Sequence, residues 1–131
     1  PQTQHDRQHL LSLGKVSHIF ISNSDHVRNA QALAAETGAQ ICGPEEEKDD
    51  FPISCAHWLS SGSHLIDGLD VYSVSGSKTD GELAFVAEGD TLITGDLVRA
   101  HSGGKLCILP DGWPVFRDAH VVLAELVDTL S

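Results

Sequence analysis

The chain has 131 residues, which is enough for one compact domain and too few for two ordinary ones. Its 8 basic and 19 acidic residues give a net charge of -11, which repels nucleic-acid phosphates and anionic lipid surfaces. No apolar run approaches the roughly 20 residues of a membrane span, and no export signal opens the sequence. Composition therefore predicts a soluble, cytoplasmic domain with neither nucleic acid nor a membrane as partner.

The first part of the chain alternates helical and extended patterns. A short helix is predicted over 5–13, where a glycine follows directly. Residues 16–21 are rich in β-branched and aromatic side chains, which indicates a buried strand. A polar turn then leads into a helix over 27–37, and a second strand is predicted over 39–42. We interpret the acidic run at 44–50 as a solvated loop.

The second part has the spacing of short strands. The predicted strands lie at 69–74, 83–87, 91–94 and 106–109. Glu88, Gly89 and Asp90 carry a hairpin turn signal between two of them. Apolar residues at helical spacing predict a closing helix over 117–130. The pattern predicts one α/β layered domain.

Candidate chemistry gathers at two strand ends, where ligands usually bind in layered α/β folds. Asp25 and His26 follow the first strand, and Asp96 follows Gly95, which lets the backbone approach closely. A carboxylate there is a plausible metal ligand. Taken singly, Asp25 is equally a helix cap, His26 a structural histidine and Asp96 a turn residue.

Other patterns are weaker. Cys55, His57 and His64 match no strong zinc spacing, so we interpret them as structural. The three cysteines are odd in number and share no CxxC spacing, which favours buried thiols over disulfides. No G-x-S-x-G elbow supports serine hydrolysis, and the Gly-Gly-Lys at 103–105 lacks a P-loop pattern.

Several segments together resemble the metallo-β-lactamase superfamily. The strand at 18–21, the loop SNSDH at 22–26 and the following helix are similar to the strand, HxHxDH loop and helix of that family. Residues 75–82 (SGSKTDGE) resemble its Gly-His-Thr-Pro-Gly turn, and 88–96 (EGDTLITGD) resembles the hairpin that delivers its metal-bridging Asp. More loosely, 110–113 (PDGW) takes the place of the last Gly-His-Gly turn.

The resemblance implies that the family's first metal site is lost. The two histidines of the HxHxDH loop fall at Ile21 and Asn23, and the histidine of the later turn falls at Ser77. All three ligands of that site are therefore replaced by side chains that do not usually bind zinc. Loss of a site should strongly reduce the activity of an enzyme that divides its chemistry between two ions.

The resemblance keeps most of the second metal site. Asp25, His26 and Asp96 match its ligands, and Asp111 offers a carboxylate in place of the final histidine. Such a set is expected to hold one divalent ion, Zn, Mn or Fe, with Asp25 or Asp96 also accepting a proton. The fold implied is a partial αββα sandwich with a mixed sheet and flanking helices.

Two functions follow from this resemblance. The first is a one-metal hydrolase in which metal-bound water attacks an ester, lactone, thioester or amide carbonyl. The second is a catalytically inactive binding or assembly module that keeps the fold. Residues 1–131 are expected to form a single domain without the family's usual N-terminal strands. The sheet this leaves uncovered predicts a homodimer.

Overall fold

The computed structural model describes residues 3–74, 77–100 and 106–108, with side chains over 3–74 and 77–97. Within these residues the chain forms two α-helices, eight strands and two short 3-10 turns. The helices are α1 (Gln4–Ser12) and α2 (Ala30–Thr37), and the turns are Ser24–His26 and Glu45–Glu47. The strands are β1 (His18–Phe20), β2 (Gln40–Pro44), β3 (His57–Leu59), β4 (Leu69–Val74), β5 (Glu82–Ala87), β6 (Thr91–Ile93), β7 (Val98–Ala100) and β8 (Leu106–Ile108).

The first sheet is parallel, in the order β1-β2-β3. Helix α2 connects β1 to β2 and buries Ala30 against Ile21 and Ile41. The helix ends at Gly38, whose positive φ of 74° closes it and turns the chain into β2. A parallel pair needs such a crossover, and it leaves the carboxyl ends of β1 and β2 at one edge of the sheet.

The second sheet is antiparallel, in the order β4-β5-β6, and a separate pair joins β7 to β8. Strand β5 is buried along almost its whole length. The turn that follows it has Glu88 at φ 53° and Gly89 at φ 75°, as the hairpin signal predicts.

The two sheets share one apolar cluster. Cys42 and Leu59 from the first sheet pack with Val71, Leu83 and Phe85 from the second. A backbone hydrogen bond also joins them, since the Leu83 N–H donates to the Ser22 carbonyl over 2.8 Å. The end of β1 is thereby held against the start of β5, and we call this junction the seam.

The predicted fold class is confirmed, because helices accompany both parallel and antiparallel sheets. The differences are local. Strands β3 and β7 were not predicted, and the helix after β1 begins at Ala30 because a 3-10 turn and a positive φ of 35° at Arg28 precede it. Asp25 does not cap that helix: the residue before α2 is Asn29, which makes no side-chain cap. The closing helix predicted at 117–130 lies outside the described residues.

The acidic run departs in part from the predicted solvated loop, whereas the described cysteines, Cys42 and Cys55, are free thiols as predicted. The run forms a short 3-10 turn in which Glu45 and Glu46 are exposed but Glu47 is buried, so it is not wholly a solvated loop. Cys42 is buried and Cys55 half-buried, and burial raises the pKa of both thiols to about 11. Among the described residues, no helix is both long and apolar enough to cross a membrane.

Candidate functional site

The loop after β1 is fixed by backbone and side-chain hydrogen bonds. The Ile21 N–H donates to the Cys42 carbonyl over 2.9 Å, which continues the pairing with β2. Asn23 then begins the 3-10 turn: its Oδ1 accepts the Asp25 N–H, and its carbonyl accepts the His26 N–H. These two bonds define the turn, which places the His26 ring within hydrogen-bond distance of Ser22.

Glu82, the first residue of β5, carries a fully buried carboxyl group at the seam. Its Oε2 accepts hydrogen bonds from Asn23 Nδ2 at 2.5 Å and Ser77 Oγ at 3.3 Å. Its Oε1 accepts the Asp96 N–H at 3.3 Å. Asn23 and Ser77 are buried as well, so the three side chains form a closed polar network, which we call the Glu82 network.

The charge state of the network is set by a competition. Burial raises the pKa of the Glu82 carboxyl to about 7, because a charge is poorly solvated there. The bonds from Asn23, the Asp96 N–H and Ser77 oppose this rise, and the negative charge of Asp96 adds to it. The Glu82 carboxyl consequently exchanges its proton near neutral pH.

Glu47 joins the two loops that carry the network. Its carboxylate accepts the Ser24 N–H at 3.0 Å and the Gly81 N–H at 3.1 Å. Ser24 lies in the loop after β1, and Gly81 lies directly before Glu82. One buried carboxylate thus fixes both loops by charge-assisted bonds.

His26 and Asp96 come together, whereas Asp25 turns elsewhere. His26 Nε2 lies 3.2 Å from Asp96 Oδ2, and His26 Nδ1 lies 3.0 Å from Ser22 Oγ. The Asp25 carboxylate, more than a third exposed, pairs with the ammonium group of Lys78. Of the four predicted ligands, two are in contact, Asp25 is engaged by a cation, and Asp111 lies outside the described residues.

A cleft of about 300 Å³ opens beside these groups. Its lining residues are Phe20, Ile21, Ser22, His26, Arg28, Phe85, Ile93, Thr94 and Gly95. Gly95 is required here, because a Cβ atom would approach Ser22 Oγ to 2.5 Å. The close backbone approach expected of Gly95 is therefore confirmed, and it brings Asp96 to the seam.

Comparison with known proteins places these features in a family. Residues 1–111 match the sequence profile of the metallo-beta-lactamase superfamily. The match spans most of the chain, so this protein belongs to the metallo-beta-lactamase superfamily. The comparison with curated proteins gives no match.

Proteins of this superfamily usually bind divalent metal ions, but the described side chains do not fit one. No group of three or more His, Cys, Asp and Glu side chains is placed to hold a metal within the part of the chain that the structure describes. The first-site positions Asn23 and Ser77 are bonded to Glu82 instead. At the second site, the Asp25 carboxylate is already paired with the ammonium group of Lys78.

Glu82, Glu47 and Ser22 were not predicted as site residues. Glu82 could have been identified from the sequence. It is a charged residue that follows a glycine and begins an otherwise apolar strand, and a charge in that position needs a buried partner. Ser22 and His26 are four residues apart across a tight turn, which is a spacing that brings side chains together. Glu47 had no signal, because Glu45, Glu46 and Glu47 are identical in sequence.

Proposed function

We propose that this chain is a metal-independent member of its superfamily that binds a small molecule in the cleft beside His26. The main support is the Glu82 network. In it the Glu82 carboxyl group is hydrogen-bonded to Asn23 and Ser77, which take two positions of the family's first metal site. A divalent metal ion at that site would have to break the hydrogen bonds that Asn23 and Ser77 make to Glu82. Neither the asparagine nor the serine side chain is a usual zinc ligand. The network supports a fold that needs no ion.

The cleft supports the binding part of the proposal. Apolar and polar side chains share its walls, and His26, Arg28 and Ser22 provide the polar groups at the opening. A concave apolar site with a few convergent polar groups is the usual form of a small-molecule site, and about 300 Å³ is at the small end of that range.

A one-metal hydrolase is the second candidate, favoured by the contact of His26 with Asp96. It needs Asp25 to leave Lys78 and Asp111 to reach the site. An ion bound this way would lower the pKa of a water molecule and supply a nucleophile.

Metal content separates the two candidates. We expect elemental analysis of the purified chain, after incubation with Zn²⁺, Mn²⁺ or Fe²⁺ and desalting, to show well under one ion per chain. We also expect the melting temperature to be unchanged by metal or chelator, because an ion that binds only the folded state would raise it. About one ion per chain that is lost in Asp96→Ala would instead establish the one-metal site.

We also propose that the chain forms a homodimer through β6. This strand is last in its three-stranded sheet among the described residues, and Leu92 and Ile93 on it are 42% and 49% exposed. An open edge with apolar side chains favours association. We expect light scattering to give a mass near 28 kDa, twice the 14.0 kDa of one chain. A 14 kDa particle at micromolar concentration would contradict it.

A further inference from the structure

We propose that Ser22, His26 and Asp96 form a nucleophilic site that hydrolyses small carboxylic esters through an acyl-Ser22 intermediate. This inference rests on the metal-independent cleft proposed above and adds a reaction to it. It rests on two successive contacts, from Ser22 to His26 and from His26 to Asp96, and Ser22 lies at the cleft.

The geometry is that of a nucleophile, a base and an orienting acid in series. Ser22 Oγ lies 3.0 Å from His26 Nδ1, and His26 Nε2 lies 3.2 Å from Asp96 Oδ2. Both distances suit hydrogen bonds. With its proton on Nε2, the imidazole donates to Asp96 and keeps the Nδ1 lone pair for the Ser22 hydroxyl. Such arrangements are defined by geometry and roles rather than by sequence order.

Each member is held by the fold. The Ser22 carbonyl accepts the Leu83 N–H across the seam, and the 3-10 turn places His26 four residues later. The Asp96 N–H is bonded to Glu82. No G-x-S-x-G elbow is needed, because the seam and the turn present the hydroxyl instead.

The open side of this set faces the cleft. Ser22 and His26 line it, and Asp96 is not among its lining residues, as suits a group that orients the imidazole from behind. Phe20, Phe85 and Ile93 form apolar walls around a volume of about 300 Å³. These walls fit an ester with a short apolar acyl group.

The reaction balances without a metal or redox partner. Ser22 Oγ bonds to the ester carbonyl carbon while its proton passes to His26 Nδ1. The ester C–O bond then breaks, and the leaving alkoxide takes that proton as an alcohol. Water next attacks the acyl carbon and gives a proton to His26 Nδ1. The bond from that carbon to Ser22 Oγ then breaks, and His26 returns the proton to Ser22 Oγ. The products are one carboxylic acid and one alcohol, and Ser22 recovers its hydroxyl.

A short-chain alkyl fluorophosphonate tests the inference in the presence of EDTA. Attack by Ser22 forms an O–P bond and releases fluoride, and peptide mass spectrometry locates the adduct. We expect one adduct per chain, on Ser22, and none at that position in Ser22→Ala. His26→Ala should slow labelling about 100-fold or more through loss of the base. Asp96→Asn should slow it at least about tenfold, because the imidazole loses the carboxylate that orients it.

Ser24→Ala is the matched control, because it removes a hydroxyl from the same loop; its labelling rate should equal that of the wild type. Melting curves verify that each variant is folded. A Ser22 that stays unlabelled in folded wild type, both with EDTA and without it, overturns this inference and leaves the proposed binding function standing. A rate unchanged in His26→Ala and Asp96→Asn also overturns it. Labelling that EDTA abolishes contradicts the metal-independent function itself.

Discussion

Replacing Glu82 by glutamine is expected to remove a loss of stability that the wild-type chain suffers as pH rises towards 8. Burial raises the pKa of the Glu82 carboxyl from 4.5 to about 7 in the folded chain. The folded state therefore holds this proton more tightly than the unfolded state. Its contribution to stability is complete below pH 4.5 and is lost as pH rises through about 7.

The size of the effect follows from the same shift. At about 1.4 kcal/mol per pKa unit, the contribution is roughly 3 kcal/mol. Denaturant unfolding of wild type and Glu82→Gln at several pH values between 4.5 and 8 measures it, because other titrating groups are common to both chains. From pH 4.5 to pH 8, the free energy of unfolding of Glu82→Gln should rise by roughly 3 kcal/mol relative to that of the wild type.

Glu45→Gln provides the matched control, since it removes a carboxylate at an exposed position. Its unfolding free energy should follow that of the wild type at every pH. If the Glu82→Gln and wild-type curves run parallel across the whole range, the buried carboxyl does not govern the pH dependence. The Glu82 network would then be only a set of hydrogen bonds.

Replacing Glu47 by alanine is expected to lower the free energy of unfolding by about 3 kcal/mol. Its carboxylate is the acceptor for the Ser24 and Gly81 N–H groups. Hydrogen bonds to a charged group contribute about 1.5 to 3 kcal/mol each, and entering water recovers part of the loss. Urea unfolding at pH 7 measures the change.

Two further variants make this prediction specific. Glu45→Ala, at an exposed position of the same turn, should change stability by no more than about 0.5 kcal/mol. Glu47→Gln keeps one carbonyl oxygen as an acceptor and should fall between alanine and the wild type. Equal effects of Glu45→Ala and Glu47→Ala would show that Glu47 does not join the loops.

The strands were predictable where the side-chain pattern is strong. Strand β4 has the predicted bounds of 69–74, and β5 begins one residue before the predicted start, at Glu82. Strand β3 was missed because it has only three residues, His57 to Leu59, and forms by pairing with β2 rather than by its own composition. Tertiary pairing of this kind leaves little trace in a local pattern.

The site was predictable in part, for a similar reason. Asp25, His26 and Asp96 follow from their places near strand ends. The partner each one takes depends on depth and register, which a single sequence does not contain. Lys78 reaches Asp25 across a distance of 53 positions in the chain, and its identity alone gives no sign of that pairing. The metal assignment for Asp25, His26, Asp96 and Asp111 stays a prediction.

The seam has a thermodynamic consequence, because the cleft is assembled from both sheets. Ser22 and His26 follow the parallel sheet, while Phe85 and Ile93 belong to the antiparallel one and Gly95 follows its last strand. The cleft exists only while the sheets are docked, so any molecule that occupies it contacts both sheets and stabilises their docking. Occupancy and sheet docking are then linked equilibria, in which a filled cleft resists opening of the chain and an opened chain releases its occupant.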